Sequence, residues 1–249
     1  MSLFEELIED KAGDEKIVKS FETKENLSDQ IFESDDKMRE DIRTALLKIS
    51  DEFIESLGIE FFIHDIQLTG SLANYNWSNY SDIDLHLVVD FEDSDYNLDL
   101  LKEFFDAKKN IWNEKHQIKI KGYDVEIYVQ NITEPHVSSG VYSILNDKWV
   151  IEPKQEKPEI DDKMILQKAE VYMKKIDGLI QKAIDGKNVL NAIEELRKKL
   201  KDFRQSGLDK GGEYSYENLT FKLLRRNGYI ERLLKLKTKL TDKKLSVAQ

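Results

Sequence analysis

Two aspartates separated by one residue, Asp82 and Asp84, open an apolar segment that continues with Ile83, Leu85 and Leu87. Successive side chains of a β-strand point to opposite faces, so this spacing predicts both carboxylates on one face and the apolar side chains on the other. Two neighbouring carboxylates repel each other unless something neutralises them, and divalent cations are their usual partners. The pattern therefore predicts a metal site on a strand, although such a pair also occurs by chance on the polar edges of strands.

The dipeptide Gly70-Ser71 ends the apolar run that precedes these aspartates. We expect residues 59–69 to form a strand and Leu72 to begin a short helix. At such a turn the backbone N–H groups of Gly70 and Ser71 and the Ser71 hydroxyl could bind a phosphate. The hydroxyl could also serve only as a helix N-cap. A phosphate site close to a metal site indicates nucleotide chemistry.

A third acidic position lies after Gly122, where strictly alternating polar and apolar residues predict a β-hairpin. Asp124 and Glu126 are two residues apart on the same strand, so they share one face. Either could join the first two carboxylates. We favour Glu126, because it lies deeper in the strand, whereas Asp124 lies beside the turn.

The order Gly70-Ser71, then Asp82-Ile83-Asp84, then a later strand carboxylate resembles the motif of the DNA polymerase beta-like nucleotidyltransferase superfamily. The resemblance extends approximately from Ile59 to Pro153. It implies an α+β fold, in which a mixed sheet flanked by helices is followed by a C-terminal helical lobe. The motif also resembles nucleotidyltransferase-like proteins of bacteriophages.

The same resemblance implies an enzyme that transfers a nucleoside monophosphate from a nucleoside triphosphate (NTP) to a hydroxyl group and releases pyrophosphate. ATP is the expected donor, and two Mg²⁺ or Mn²⁺ ions are the expected cofactors. Asp82 and Asp84 would bridge the ions, and Glu126 would hold the catalytic ion and position or deprotonate the attacking hydroxyl. Gly70 and Ser71 would contact the phosphates. The acceptor stays open between an RNA 3′ end, a protein side chain, a small molecule and another nucleotide.

Charge divides the chain into two unlike parts. Residues 161–249 contain 21 Lys and Arg and 13 Asp and Glu, whereas residues 1–160 contain 17 and 36. In the basic part, Lys222, Arg225 and Arg226 follow the i, i+3, i+4 spacing of one helix face. Relatives in the superfamily use a basic residue of the helical lobe on the triphosphate, so these three are candidates for nucleotide binding. They could equally form a solvated basic face.

The basic C-terminal region also favours RNA slightly as the acceptor, because a basic surface attracts phosphodiesters. No RNA-binding motif accompanies it. The histidines lack metal-ligand spacing, and His86 in particular is interpreted as a packed histidine rather than as a ligand.

The 249-residue chain is expected to contain an acidic N-terminal arm (1–33), a catalytic domain (34–153) and a helical domain (160–249). A proline-containing linker separates the last two. At the start of the catalytic domain, apolar residues at helical spacing predict a helix capped by Ser34 and ended by Gly58.

The absence of cysteine excludes disulfides, thiolate zinc sites and cysteine nucleophiles. No apolar run approaches the ~18 residues of a membrane span, and residues 1–10 lack a signal-peptide pattern. We therefore expect a cytoplasmic protein without a membrane partner, located in the host cytoplasm if a phage encodes it. An alternative from another class is a non-catalytic nucleotide-binding or host-interaction module that acts through the acidic arm. The sequence does not indicate an oligomeric state.

Overall fold

A computed structural model describes residues 13–34, 37–93, 96–136 and 138–246 of the chain. Its contacts divide the chain into two compact units. The sheet unit comprises residues 23–157, and the helical unit comprises residues 1–22 together with residues 158–249. This arrangement, a mixed sheet with flanking helices and a C-terminal helical region, confirms the predicted α+β fold class.

The sheet unit contains a six-stranded sheet and a separate small β-hairpin. Its elements are β1 (Phe32–Ser34), β2 (Lys37–Met38), α2 (Glu40–Leu57), β3 (Ile63–Thr69), β4 (Ile83–Val89), α3 (Leu98–Lys115), β5 (Lys119–Ile120), β6 (Tyr123–Asn131), β7 (Val141–Ser143) and β8 (Lys148–Ile151). The strand order is β5-β6-β4-β3-β7-β8, and every pair is antiparallel except β4 with β6. Parallel neighbours cannot be joined by a tight turn, and α3 provides the crossover between them.

Helix α2 covers the apolar side of the sheet. Its Leu46 and Phe53 are fully buried and belong to the same cluster as Leu68 and Leu85 of the strands, because apolar residues at helical spacing form a continuous stripe. The helix ends at Gly58, in the left-handed conformation that glycine adopts without strain. The predicted end of this helix is therefore confirmed.

The predicted start of α2 is wrong. Ser34 lies in β1, and the helix begins at Glu40 with Arg39 as the N-cap residue. A short hairpin of β1 and β2 occupies the intervening chain. A serine followed by acidic residues is a good cap in isolation, but here strand pairing decides the conformation of Ser34.

The helical unit contains α1 (Asp14–Lys19), α4 (Asp162–Ile184), α5 (Leu190–Gly211), α6 (Tyr216–Arg226) and α7 (Tyr229–Leu245). One buried cluster joins them, with Ile165, Ile176, Ile193 and Leu223 at its centre. None of the described helices is both long enough and apolar enough to cross a membrane.

The segment expected to form an acidic arm contributes to both units. Residues 1–12 lie outside the described part of the chain. Ile17 and Phe21 belong to the buried cluster of the helical unit, and Ile31 and Phe32 belong to that of the sheet unit. These side chains are buried because each packs against the apolar cluster of one unit. The domain boundaries at 34, 153 and 160 stay a prediction.

A buried tyrosine of β7, Tyr142, links the turn of the β7–β8 hairpin to β2. The Tyr142 hydroxyl donates to Asp147 Oδ1 (2.8 Å) and accepts from the Met38 backbone N–H (3.2 Å). Burial raises the pKa of Tyr142 to about 12, and the nearby Asp147 carboxylate contributes in the same direction. The ring is fully buried, so the hydroxyl must remain neutral for the native packing.

Replacing Tyr142 with phenylalanine is expected to lower the free energy of unfolding by about 1–3 kcal/mol, because a buried N–H and a carboxylate lose their partner. The wild-type protein should also lose stability as the pH rises from about 10 to about 12, because the unfolded tyrosine releases its proton first. The variant should lose less stability over this range, and the loss that remains comes from other tyrosines with a raised pKa, such as Tyr172 and Tyr229. Urea denaturation at pH 8 and between pH 10 and 11 measures both effects, and equal pH dependence in the two proteins would contradict the assignment.

Candidate functional site

The parallel pairing of β4 with β6 brings the predicted acidic residues together. Asp84 is the direct register partner of Glu126, and Thr69 of β3 is the partner of Asp84 on its other side. Asp82 lies immediately before β4. Asp84 and Glu126 are half-buried, while their neighbours Ile83 and Val125 are buried in the core, as the predicted alternation requires. Two carboxylates from distant parts of the sequence thus lie side by side on the polar face of the sheet.

The two candidates for the third carboxylate have different surroundings. Asp124 is exposed and forms an ion pair with Lys119 across the β5–β6 hairpin (2.7 Å). Glu126 lies opposite Asp84 and is only partly exposed. Lys119 already neutralises the charge of Asp124, so a cation would stabilise Asp124 less. These surroundings favour Glu126 as the third carboxylate. The choice between them stays a prediction.

Gly70 is the residue that lets the Asp84 carboxylate approach the turn after β3. A Cβ atom at position 70 would lie 1.8 Å from Asp84 Oδ2, and the backbone there has φ +72°. Only glycine is free of both the collision and the strain of that conformation. The glycine of the Gly-Ser pair therefore positions a carboxylate, besides any contact with a phosphate.

The short helix expected to begin at Leu72 is a single 3₁₀ turn, Ser71–Ala73. The chain returns to an extended conformation at Asn74, so a helix dipole contributes little here. The Ser71 hydroxyl donates to Ser81 Oγ (2.8 Å), and the Gly70 N–H donates to Ser138 Oγ (3.2 Å). A phosphate at this turn would have to compete with these two hydroxyl groups.

Asn74 and Ser138, which the sequence analysis did not select, hold the turn in place. The Asn74 amide donates to the Gly70 carbonyl (2.8 Å) and to Ser138 Oγ (3.3 Å), and Ser138 Oγ donates to the Gly140 carbonyl (2.7 Å). Asn74 could have been selected from the sequence, because it is a polar residue close to the Gly70-Ser71 pair. Ser138 is far from it in sequence and carries no local signal.

Another residue that the sequence analysis missed, Asn113 of α3, supports β6 beside Glu126. Its side chain donates to the Ile127 carbonyl and accepts from the Ile127 N–H, both at 3.0 Å. These bonds satisfy backbone groups on the side of β6 that faces away from β4. The strand that carries Glu126 is therefore hydrogen-bonded along both edges at this point.

The residues present fit a divalent cation in type and register. The donors are carboxylate oxygens, which Mg²⁺ prefers, and paired strand positions bring two of them together. As the side chains are placed, no group of three or more His, Asp or Glu residues in the described part of the chain converges on a metal position. Glu126 Oε2 accepts a hydrogen bond from the Tyr128 hydroxyl (2.6 Å). The register of β4 and β6 brings two carboxylates together, which suits a divalent cation.

His86 is packed within the sheet, as expected from the sequence. Its Nδ1 lies 2.8 Å from Gln130 Oε1, and since an amide oxygen only accepts, Nδ1 carries the proton. Burial lowers the pKa of His86, against the opposing effect of the Gln130 hydrogen bond. These contacts describe a neutral imidazole with a structural partner.

The helical unit contains the predicted basic residues in a larger cluster, which we call the α5–α6 basic cluster (Arg204, Lys222, Arg225 and Arg226). Burial lowers the pKa of Lys222, Glu213 opposes that effect, and the three guanidinium groups lower it further. Arg204 was not predicted, because it lies on another helix. Arg226 donates to Ser20 (2.8 Å), and its guanidinium lies 4.9 Å from the Phe21 ring centroid. Arg226 therefore also holds the residues that follow α1 against α6.

Comparison with known proteins shows a family resemblance over most of the sheet unit. A family model described as a nucleotidyltransferase domain matches residues 46–177, which is more than half of the chain. The matched region includes β3, β4 and β6, and so all three predicted carboxylates. No curated protein and no solved structure matches significantly. The resemblance to bacteriophage proteins stays a prediction.

Proposed function

The chain belongs to the nucleotidyltransferase domain family, and from that premise we propose that it transfers a nucleoside monophosphate from an NTP to a hydroxyl group and releases pyrophosphate. ATP is the proposed donor. The observation that carries the proposal is the pairing of Asp84 with Glu126 next to Gly70. If the D-x-D pair occurred by chance, we would not expect a third carboxylate and a closely packed glycine to lie beside it.

Asp82, Asp84 and Glu126 are proposed to hold two Mg²⁺ or Mn²⁺ ions. Such ions, when bound, neutralise the phosphate oxygens and lower the pKa of an attacking hydroxyl. Glu126 would accept a hydrogen bond from the acceptor hydroxyl and align it with the α-phosphorus. Asp84, packed against Gly70, would keep its carboxylate next to the turn that binds the phosphates.

The phosphates themselves are proposed to contact Gly70 and Ser71. The Ser71 hydroxyl and the Gly70 N–H already form hydrogen bonds to the Ser81 and Ser138 hydroxyl groups, so donors are positioned there before a ligand arrives. Exchange of a neutral hydroxyl for a charged phosphate strengthens each bond, because hydrogen bonds to ionised acceptors are about twice as strong as neutral ones.

Lys222, Arg225 and Arg226 are proposed to bind phosphate groups of the nucleotide, with Arg204 as a fourth member of the cluster. The argument is electrostatic. Besides burial, three guanidinium groups lie close enough to lower the pKa of the Lys222 ammonium group, and Glu213 is the carboxylate that opposes them. A bound polyphosphate would offset this excess of positive charge.

Replacement of Lys222 with methionine is expected to raise the KM for NTP about 10-fold, which corresponds to about 1.4 kcal/mol. Turnover at saturating NTP should change little, because the ammonium group contacts the phosphates equally before and during transfer. Lys210→Met, at an exposed position of α5, is the matched control. Equal KM values for the two variants would contradict the role of Lys222.

RNA is the proposed acceptor, because residues 161–249 carry an excess of basic residues that would attract a phosphodiester chain. The test is incubation of the purified protein with NTPs labelled at the α-phosphate, Mg²⁺ or Mn²⁺, and total cellular RNA, with Asp82→Asn as the control. Label that moves into RNA would support the full proposal. Label in protein or in a small molecule would support the transferase but identify another acceptor.

The opposite result has a definite meaning. If the protein binds ATP but transfers no label to any acceptor pool, the non-catalytic binding module becomes the better interpretation. If Asp82→Asn instead bound and processed nucleotides like the wild-type protein, the transferase would stand but the proposed metal role of Asp82 would be refuted.

A further inference from the structure

The carboxylate of Glu126 is held by a tyrosine on the same strand. Tyr128 lies two residues further along β6, on the same face of the sheet, and its hydroxyl donates to Glu126 Oε2 at 2.6 Å. That distance is typical of a hydrogen bond from a hydroxyl group to an ionised carboxylate. The bond restricts the rotation of a side chain that would otherwise be free on a half-buried strand face.

The ring of Tyr128 is itself fixed by neighbours on two other elements. The His86 ring of β4 lies with its centroid 5.0 Å from that of Tyr128, and Lys109 Nζ of α3 lies 5.1 Å from the Tyr128 ring centroid. Asp106 fixes the Lys109 ammonium group at 2.7 Å. The register of the parallel strands places His86 directly opposite Tyr128. This pair lies two residues further along the strands than the pair of Asp84 and Glu126, and it supports that pair from the neighbouring position.

The outer end of this row is also hydrogen-bonded. Gln130 lies 2.8 Å from His86 through its amide oxygen, and its amide nitrogen donates to the Glu134 carbonyl (3.3 Å). His86 therefore has a defined orientation, and it passes that restriction to the Tyr128 ring by direct contact. Such a series of contacts is more than packing a strand requires, because the polar face of the sheet could have been covered by aliphatic side chains.

From these contacts we infer that Tyr128 is a positioning residue for the metal site: it orients Glu126 toward the cation, and His86 and Lys109 hold Tyr128 in place. The inference rests on the proposed function of Glu126. A carboxylate has two oxygens with about four acceptor positions, so a single bond from Tyr128 leaves capacity for a cation. Outer hydrogen bonds of this kind orient metal ligands, and their loss weakens metal binding about 10–100-fold.

The test measures metal binding without turnover, by following free Mn²⁺ with electron paramagnetic resonance in the absence of nucleotide. Tyr128→Phe removes only the hydroxyl and retains the ring contacts with His86 and Lys109. We expect it to raise the Kd for Mn²⁺ about 10-fold. Tyr96→Phe, the same chemical change at a residue that is 59% exposed, should leave the Kd unchanged. Circular dichroism and thermal melting establish that both variants are folded.

A double-mutant cycle with Glu126→Gln separates this inference from the proposed function. Glu126→Gln alone should weaken Mn²⁺ binding, and adding Tyr128→Phe should then have no further effect. If Tyr128→Phe binds Mn²⁺ like the wild type while Glu126→Gln does not, the role of Tyr128 is refuted and the metal site stands. If Glu126→Gln binds normally, both fail. Equal losses from Tyr128→Phe in the two backgrounds would show that Tyr128 does not act through Glu126.

Discussion

Replacing Asp84 with asparagine is expected to lower turnover by about 1,000-fold, or about 4 kcal/mol of transition-state stabilisation. The change removes one negative charge and one ligand oxygen from the pair formed with Glu126. The melting temperature should stay equal or rise slightly, because repulsion between two adjacent carboxylates is relieved. Loss of activity with a stable fold would therefore identify a functional charge rather than a structural one.

The matched control for Asp84→Asn is Asp124→Asn. The chemistry of the change is the same, but Asp124 is exposed and is already paired with Lys119. It should retain most of the turnover, whereas Glu126→Gln should lose it. An inactive Asp124→Asn with an active Glu126→Gln would transfer the third role to Asp124. Wild-type turnover in Asp84→Asn would exclude the two-metal assignment altogether.

The second large effect is expected for Gly70→Ala. The added methyl group would lie 1.8 Å from Asp84 Oδ2, so either the aspartate or the turn must move. Displacement by about 1 Å at a reacting centre can cost about 100-fold in rate, and the positive φ adds about 1–3 kcal/mol of strain to the folded state. We expect both a loss of turnover and a lower melting temperature.

Gly212→Ala provides the control that separates strain from collision. Gly212 has almost the same backbone conformation, with φ +67° and ψ −157° against φ +72° and ψ −159° at Gly70, but a Cβ atom there would meet no described atom within 4 Å. It should lose stability by about 1–3 kcal/mol and keep its turnover. If Gly70→Ala behaved in the same way, the close approach of Asp84 to the turn would have no functional consequence.

Local patterns in the sequence were sufficient for much of the catalytic motif. The alternation around Asp82 and Asp84 predicted a strand with one polar face, and β4 has that burial pattern. The Gly-Ser pair predicted a turn, and the alternation around Gly122 predicted the β5–β6 hairpin, which is confirmed. These features depend on residues close together in the chain, whose backbone geometry follows from side-chain periodicity and from glycine at turns.

Some local signals were misleading for a physical reason. Ser34 has the chemistry of a helix cap, yet it lies in a strand, because pairing with β2 competes with capping. Asn74 adopts an extended backbone that limits the turn after Gly70 to one 3₁₀ turn.

By itself, the sequence determined the nucleotidyltransferase motif and the identity of the carboxylates that could serve it, because both are properties of residue type and short spacing. Only the tertiary structure decided that Glu126 faces Asp84, that Tyr128 and His86 lie behind them, and that Arg204 joins Lys222. Parallel pairing of β4 with β6 and packing of α5 on α6 bring together residues from separate elements. No local pattern encodes such register, since it follows from burying the apolar faces of whole elements against one another.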